Sequence, residues 1–399
     1  MVSYRKTYVA IALAVGALTG QAAAREGKCL GDLDRPRAEQ IAACTKAIDA
    51  GTFAGHDLAV ALFNRGVALT MSGDLDRARR DFDLSILTDP SFGSAFNGRG
   101  NLYRLKGDLD RALVDFEAAI RLDPGDAEAV NNRGLIHQRQ GDLDRALADY
   151  EAAIRLNPKY ALAIANRGKL YQAKGDLDHA LADYDEAIRI DPAYGGAYES
   201  RGSIYGARGD QDRAIADYDE AIRIDPKSAH AYYNRGTAYM MKSEPDRAIA
   251  DFDAAVRLNP GDVVTLNNRG RAYQMKGDLD RAIRDYSDVI RLDPNYVFAL
   301  NNRGIVYRTK GDLDRAIADY DEAIRREPEF ATAYYGRARA LQDKHSLDRA
   351  IADYDQALKL QPTYALALYW RGMARREQGD TSGGDADIAA AKKLDPSRP

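Results

Sequence analysis

The sequence predicts an all-α fold, a stack of repeated helical hairpins, and three observations carry that prediction. Prolines recur every 34 residues, from Pro90, Pro124 and Pro158 through Pro294 and Pro328 to Pro396. A glycine column keeps the same step from Gly66 to Gly304, is interrupted at Ala338 and resumes at Gly372. Within each period, apolar and small residues fall at helical spacing, and no long Val- or Thr-rich alternation suggests a strand.

The chain has 399 residues, 45% of them hydrophobic and 30% charged, which is enough apolar material for a buried core. Such a length would ordinarily suggest two or three globular domains, but a fixed repeat replaces that count. The net charge is −4, with acids and bases interspersed. Without a basic stripe there is no electrostatic case for nucleic acid as a partner.

The N-terminal residues read separately from the repeats. Arg5 and Lys6 precede an uncharged run from Tyr8 to Leu18, followed by Ala22, Ala23 and Ala24. This pattern predicts a signal peptide over residues 1–24, cut after Ala24. A retained anchor is the alternative, although the run falls short of the roughly 20 residues that span a bilayer. The body is then exported, periplasmic or secreted, with no membrane span after cleavage. Cys29 and Cys44 are the only cysteines, and in an exported chain they read as a disulfide. Closing that short loop contributes about 3 kcal/mol in the chain-entropy picture. Two thiols without a neighbouring His or further Cys do not complete a metal shell. Ala38–Ile48 resembles a stray second helix with Cys44 in the aromatic position, so residues 25–58 are expected to form a capping half-repeat. Ten repeats follow over residues 59–398.

One repeat, Val297–Phe330, shows the design. Leu300, Gly304 and Tyr307 form one stripe of a first helix. Gly311 supplies a left-handed turn and Asp312 can cap the next helix. Ala316, Tyr320, Ala323 and Ile324 make the stripe of the second helix, which Glu327-Pro328 ends. A hairpin cannot bury these stripes alone, so successive hairpins must stack.

The ordered Gly, Tyr, Ala, aromatic, Ala and Pro columns at this step resemble the tetratricopeptide repeat family over residues 59–398. The resemblance implies a right-handed superhelical solenoid whose first helices line a concave groove for a peptide or protein partner. One departure is consistent: the residue before the glycine is Arg in every repeat, from Arg65 to Arg371.

That Arg column lies between the two core positions of the first helix. An Asp column, from Asp81 to Asp387, lies between the two core alanines of the second. Both face inward, and a buried charge needs a partner. The spacing lets each Asp reach the Arg of its own repeat, that of the next, or both, so Arg269, Asp285, Arg303, Asp319, Arg337 and Asp353 are expected to form an ion-pair ladder. Ten equivalent copies suit architecture, not catalysis. His56, His137, His179, His230 and His345 occupy five unlike settings, and no catalytic, phosphate-binding or metal-binding motif occurs. No enzyme activity, cofactor or metal is expected.

Candidate partner contacts lie on the face of the first helices opposite the core. Asn132, Asn166, Asn234, Asn268 and Asn302 form one column there, offering amide donors and acceptors; bonding to the neighbouring helix is the alternative. Towards the C-terminus the same face gains Tyr233, Tyr335, Tyr369 and Trp370, with Arg271, Arg308 and Arg339 nearby. The expectation is therefore an exported, non-enzymatic scaffold for a protein or peptide in an envelope assembly. The alternative is a module that self-associates through its terminal repeats as a homo-oligomer.

Overall fold

The computed structural model describes Cys29 and residues 36–396, and the expected signal segment 1–24 lies outside the described residues. All regular structure among the described residues is helical. Among the described residues, one helix, α1 (Arg37–Asp49), precedes ten hairpins. These run from α2 (Gly55–Ser72) with α3 (Leu75–Thr88) to α20 (Ala365–Gln378) with α21 (Thr381–Leu394). The chain divides into two compact bodies, the first ending at Ile204 and the second beginning at Tyr205. The first holds hairpins one to four entire, and the second holds hairpins six to ten.

The eighth hairpin, α16 (Val297–Thr309) and α17 (Leu313–Arg326), shows how the sequence builds each unit. Gly311 turns the chain at φ +79°, a left-handed conformation that is cheap only without a Cβ. The Asp312 carboxylate then accepts the Arg315 N–H at 3.1 Å and caps α17. The Arg315 guanidinium returns to the same carboxylate and also lies 4.6 Å from the centre of the Tyr307 ring. Lys310 reaches back to Asp280 of the preceding hairpin, joining the outer edges of two units.

Inside, Ala316, Tyr320 and Ala323 are fully buried. The Tyr320 ring lies flat enough on Gly304 that a Cβ there would come within 2.9 Å of its Cε1. Gly270 meets Tyr286 in the same way at 2.8 Å. The glycine column is thus the seat of the aromatic column, and burying each ring contributes on the order of 2–3 kcal/mol. Buried tyrosines also need a hydroxyl partner. Tyr150 donates to Gln138 at 2.6 Å, Tyr184 to Gln172 at 2.9 Å, Tyr286 to Gln274 at 3.2 Å and Tyr354 to Gln342 at 2.8 Å.

At the N-terminal end Cys29 and Cys44 form a disulfide with Cα atoms 4.7 Å apart. The bridge is buried against Phe53 and Ala61, and α1 packs on α2. Asn64 Nδ2 donates to the Cys29 carbonyl at 3.1 Å, tying the bridge to the first hairpin.

Candidate functional site: the first-helix face

The charge columns meet in pairs. In every hairpin lying wholly within one body, the Arg forks onto the Asp of its own second helix, as Arg303 Nε and Nη2 do onto Asp319 at 2.8 and 2.7 Å. Arg269 with Asp285 and Arg337 with Asp353 repeat this geometry. The Asp side chains are buried and the Arg side chains nearly so. Hydrogen bonding to the carboxylates raises the pKa of Arg269, Arg303 and Arg337, while burial pushes the Asp285 carboxyl up against the pull of Arg269.

The link between hairpins differs from the expected one. Asp319 does not bridge to Arg337. Arg337 Nη1 donates instead to Asp321 at 2.6 Å, and Arg269 Nη1 to Asp253 at 2.8 Å. Both oxygens of the column Asp are occupied by its own Arg. The residue two places on points about half a turn away, towards the next hairpin. In the eighth hairpin Arg303 reaches Ser287 Oγ at 2.9 Å, where the preceding repeat lacks the second acid. His137 joins the third pair with Nδ1 3.0 Å from Asp149 Oδ2, and Arg375 joins the tenth at Asp387, 2.9 Å away. These charges complete the framework.

The Asn column is spent largely in the same way. Asn132 and Asn166 are buried and donate to Asn97 and Asn131 of the preceding hairpin at 3.0 and 2.9 Å. Asn302 donates to Asn267 at 3.0 Å and Asn268 to the Tyr233 hydroxyl at 3.0 Å. Asn234 is half-buried beside His230, 3.2 Å away. For Asn132 and Asn166 this corrects the expected partner contact: consecutive first helices stand close enough for one carboxamide to span them.

Beside the exposed Arg271 and His230, this face keeps large apolar side chains open in the second body. Phe298, Met275 and Val264 are exposed at 54%, 48% and 41%. Tyr369 and Trp370 meet edge to face, and the Arg339 guanidinium carbon stands 3.2 Å from the Trp370 ring centre. Tyr335 packs between Tyr354 and Tyr364. Arg271 is exposed beside Asn268, while Arg308 bridges to Asp343 of the ninth hairpin at 2.9 Å. Phe298 was missing from the sequence-based set. Its signal was its spacing, four residues before Asn302 and therefore on the same helix face. In the third hairpin the corresponding position is Glu128, whose pKa is pushed up to about 8, mainly by burial and then by Asp126, with Asn132 and Asn97 acting in opposition.

Comparison with known families agrees with this architecture. Profiles described as TPR repeat match residues 100–141, 202–243 and 338–379. Profiles described as tetratricopeptide repeat match 127–160, 161–194 and 229–262, and also 267–331 and 301–344. No curated protein matches the sequence. Among solved structures, the chain is similar to YrrB, described as a TPR protein with an unusual peptide-binding site, at 27% identity over 46% of this chain and 95% of that one, with a TM-score of 0.43. A tetratricopeptide repeat protein from Parabacteroides merdae aligns at 22% identity over 66% and 98%, with a TM-score of 0.48. A monomeric mutant of IFIT1 with Gppp-AAAA aligns at 17% identity over 90% and 87%, with a TM-score of 0.51, a likeness of fold alone. With the repeat profiles together matching well over half of its residues, the chain belongs to the tetratricopeptide repeat family.

Proposed function

We propose that this chain is an exported, non-enzymatic scaffold that holds a protein or peptide partner on the first-helix face of its second body, within an envelope assembly. One observation carries the reading: the regular polar columns are consumed by the framework, and the unspent surface of that face is aromatic and Met-rich. Phe298, Met275, Tyr369 and Trp370 are adaptable contact residues, and aromatic anchors supply much of the affinity of protein interfaces. The buried Cys29–Cys44 disulfide supports an oxidising compartment.

A photo-crosslinking residue placed at Phe298 or Met275 in intact cells is expected to trap a discrete partner. The same residue at Val114, exposed at 63% on a second helix, is expected to trap none. Equal labelling from both faces would remove the assignment.

A further inference from the structure

Two methionines of the second body stand in a register that elsewhere joins polar side chains. Near the C-terminal ends of the first helices, Arg308 Nη1 reaches Asp343 Oδ2, 35 residues on, at 2.9 Å. At the same step Gln342 Nε2 lies 3.5 Å from Glu377 Oε2. Gln342 also accepts the hydroxyl of Tyr354, twelve residues on, at 2.8 Å. A side chain at this position therefore lies between the core aromatic of its own hairpin and the first helix of the next.

In the sixth hairpin that position is Met240, at the end of α12 (Ala229–Met241). The aromatic twelve residues on is Phe252, which has no hydroxyl to place, and the two side chains share one buried cluster. Sulfur against an aromatic ring is a favourable contact. The residue 35 beyond Met240 is Met275, on α14 (Val263–Lys276) of the seventh hairpin. Met240 is 8% exposed and Met275 48%, so the pair opens to water on the Met275 side. Met241, 67% exposed, adds a third thioether at the same end of α12.

The other pairs in this register satisfy each other, since Arg308 gives to Asp343 and Gln342 to Glu377. Two thioethers cannot: each sulfur carries lone pairs, and neither side chain has a donor. Lys242 and Lys276, the cations next in sequence, are held on Asp212 and Asp246 of the preceding hairpins. The group that both sulfurs can bind at once is a soft Lewis acid, and thioethers select Cu(I) over harder ions. Zinc, calcium and magnesium take thiolate, imidazole or oxygen ligands. No trio of His, Cys, Asp or Glu able to hold a metal occurs among the described residues. We propose that Met240 and Met275 form a site for a soft monovalent cation of the Cu(I) class, held between two consecutive first helices. Motif spacing misses such a pair because its members lie on different hairpins.

The test uses the full chain with its methionine methyl groups labelled for nuclear magnetic resonance, and silver nitrate in chloride-free buffer as a redox-inert probe for Cu(I). The Met240 and Met275 resonances, assigned with Met240→Leu and Met275→Leu, are expected to shift together along one saturating curve. Those of Met71 and Met373 are expected to stay still. Leu conserves the volume of Met, so Met275→Leu keeps the fold, and in that variant the Met240 shift is expected to be lost. In wild type the shift is expected to persist below the pH range of histidine titration, because a thioether has no proton to shed. No shift with silver, or equal shifts at Met71 and Met373, would overturn the proposal. A Met240 response that survives Met275→Leu would overturn it as well, as would one that fails in acid. So would an equal response to zinc acetate. None of these readouts involves a partner, so this site and the scaffold reading can fail separately.

Discussion

Arginine suits the repeated inward position because its planar fork meets both oxygens of one carboxylate and still has an Nη1 to spare. Lysine would serve one oxygen at a time. Arg303 takes Asp319 with Nε and Nη2 and hands Nη1 to the preceding hairpin. Desolvation offsets much of the attraction in such a pair, so its chief effect is on stacking register, whereas removing one partner leaves a buried charge and costs about 3–5 kcal/mol. A double-mutant cycle on Arg303→Ala and Asp319→Ala is expected to show coupling of at least about 1 kcal/mol in denaturant unfolding, and the cycle on Asp319 and Arg337 about none. Glu128 provides a pH signature. Its folded pKa of about 8 lies above the roughly 4.3 of an unfolded glutamate. The folded state therefore holds the extra proton between those values, and its stability falls as pH rises through that window. Glu128→Gln is expected to flatten the fall and to exceed wild type by about 4 kcal/mol near pH 8, read from unfolding midpoints between pH 5 and 8.

At the scale of the hairpin, the turn is the most regular feature, and its exceptions are informative. Gly209, Gly277 and Gly311 take positive φ where the first helix ends, but Ser243 and His345 are held in that conformation at φ 59° and 56°. A Cβ in the left-handed region costs roughly 1–2 kcal/mol. Ser243→Gly and His345→Gly are each expected to stabilise their hairpin by about 1 kcal/mol, measured as slower amide exchange in α12 (Ala229–Met241) with α13 (Pro245–Leu258), and in α18 (Ala331–Asp343) with α19 (Leu347–Leu360). Pro245 in the first turn of α13 fits there because that N–H has no helical acceptor.

Within each body, hairpins are held by their neighbours in sequence, so the stability of a body is close to a sum of hairpin terms and nearest-neighbour terms. Periodicity alone was enough to read the helices, their turns, the Tyr and Ala core and the inward sense of the Arg and Asp columns. Every copy repeats the same local conflict between burial and charge, and the same fork of Arg onto Asp resolves it in each hairpin that lies within one body. The Cys29–Cys44 bridge was legible for a simpler reason, since the chain offers no other pairing. The identity of the Arg337 acid was not legible. Asp319 and Asp321 are equally available in sequence, and the choice depends on which way each side chain points across a separation of a few ångströms. The fate of the Asn column was hidden likewise: a helical phase gives a residue's direction but not the distance to the next first helix, and that distance turned Asn132 and Asn166 inward. By itself the sequence determined the repeating unit, because a 34-residue period constrains each hairpin locally. Only the tertiary structure decided which polar groups were spent on stacking and which were left over, because that depends on reach between hairpins: Asn267 accepts from Asn302, while the buried Asn301 Oδ1 is left without a partner.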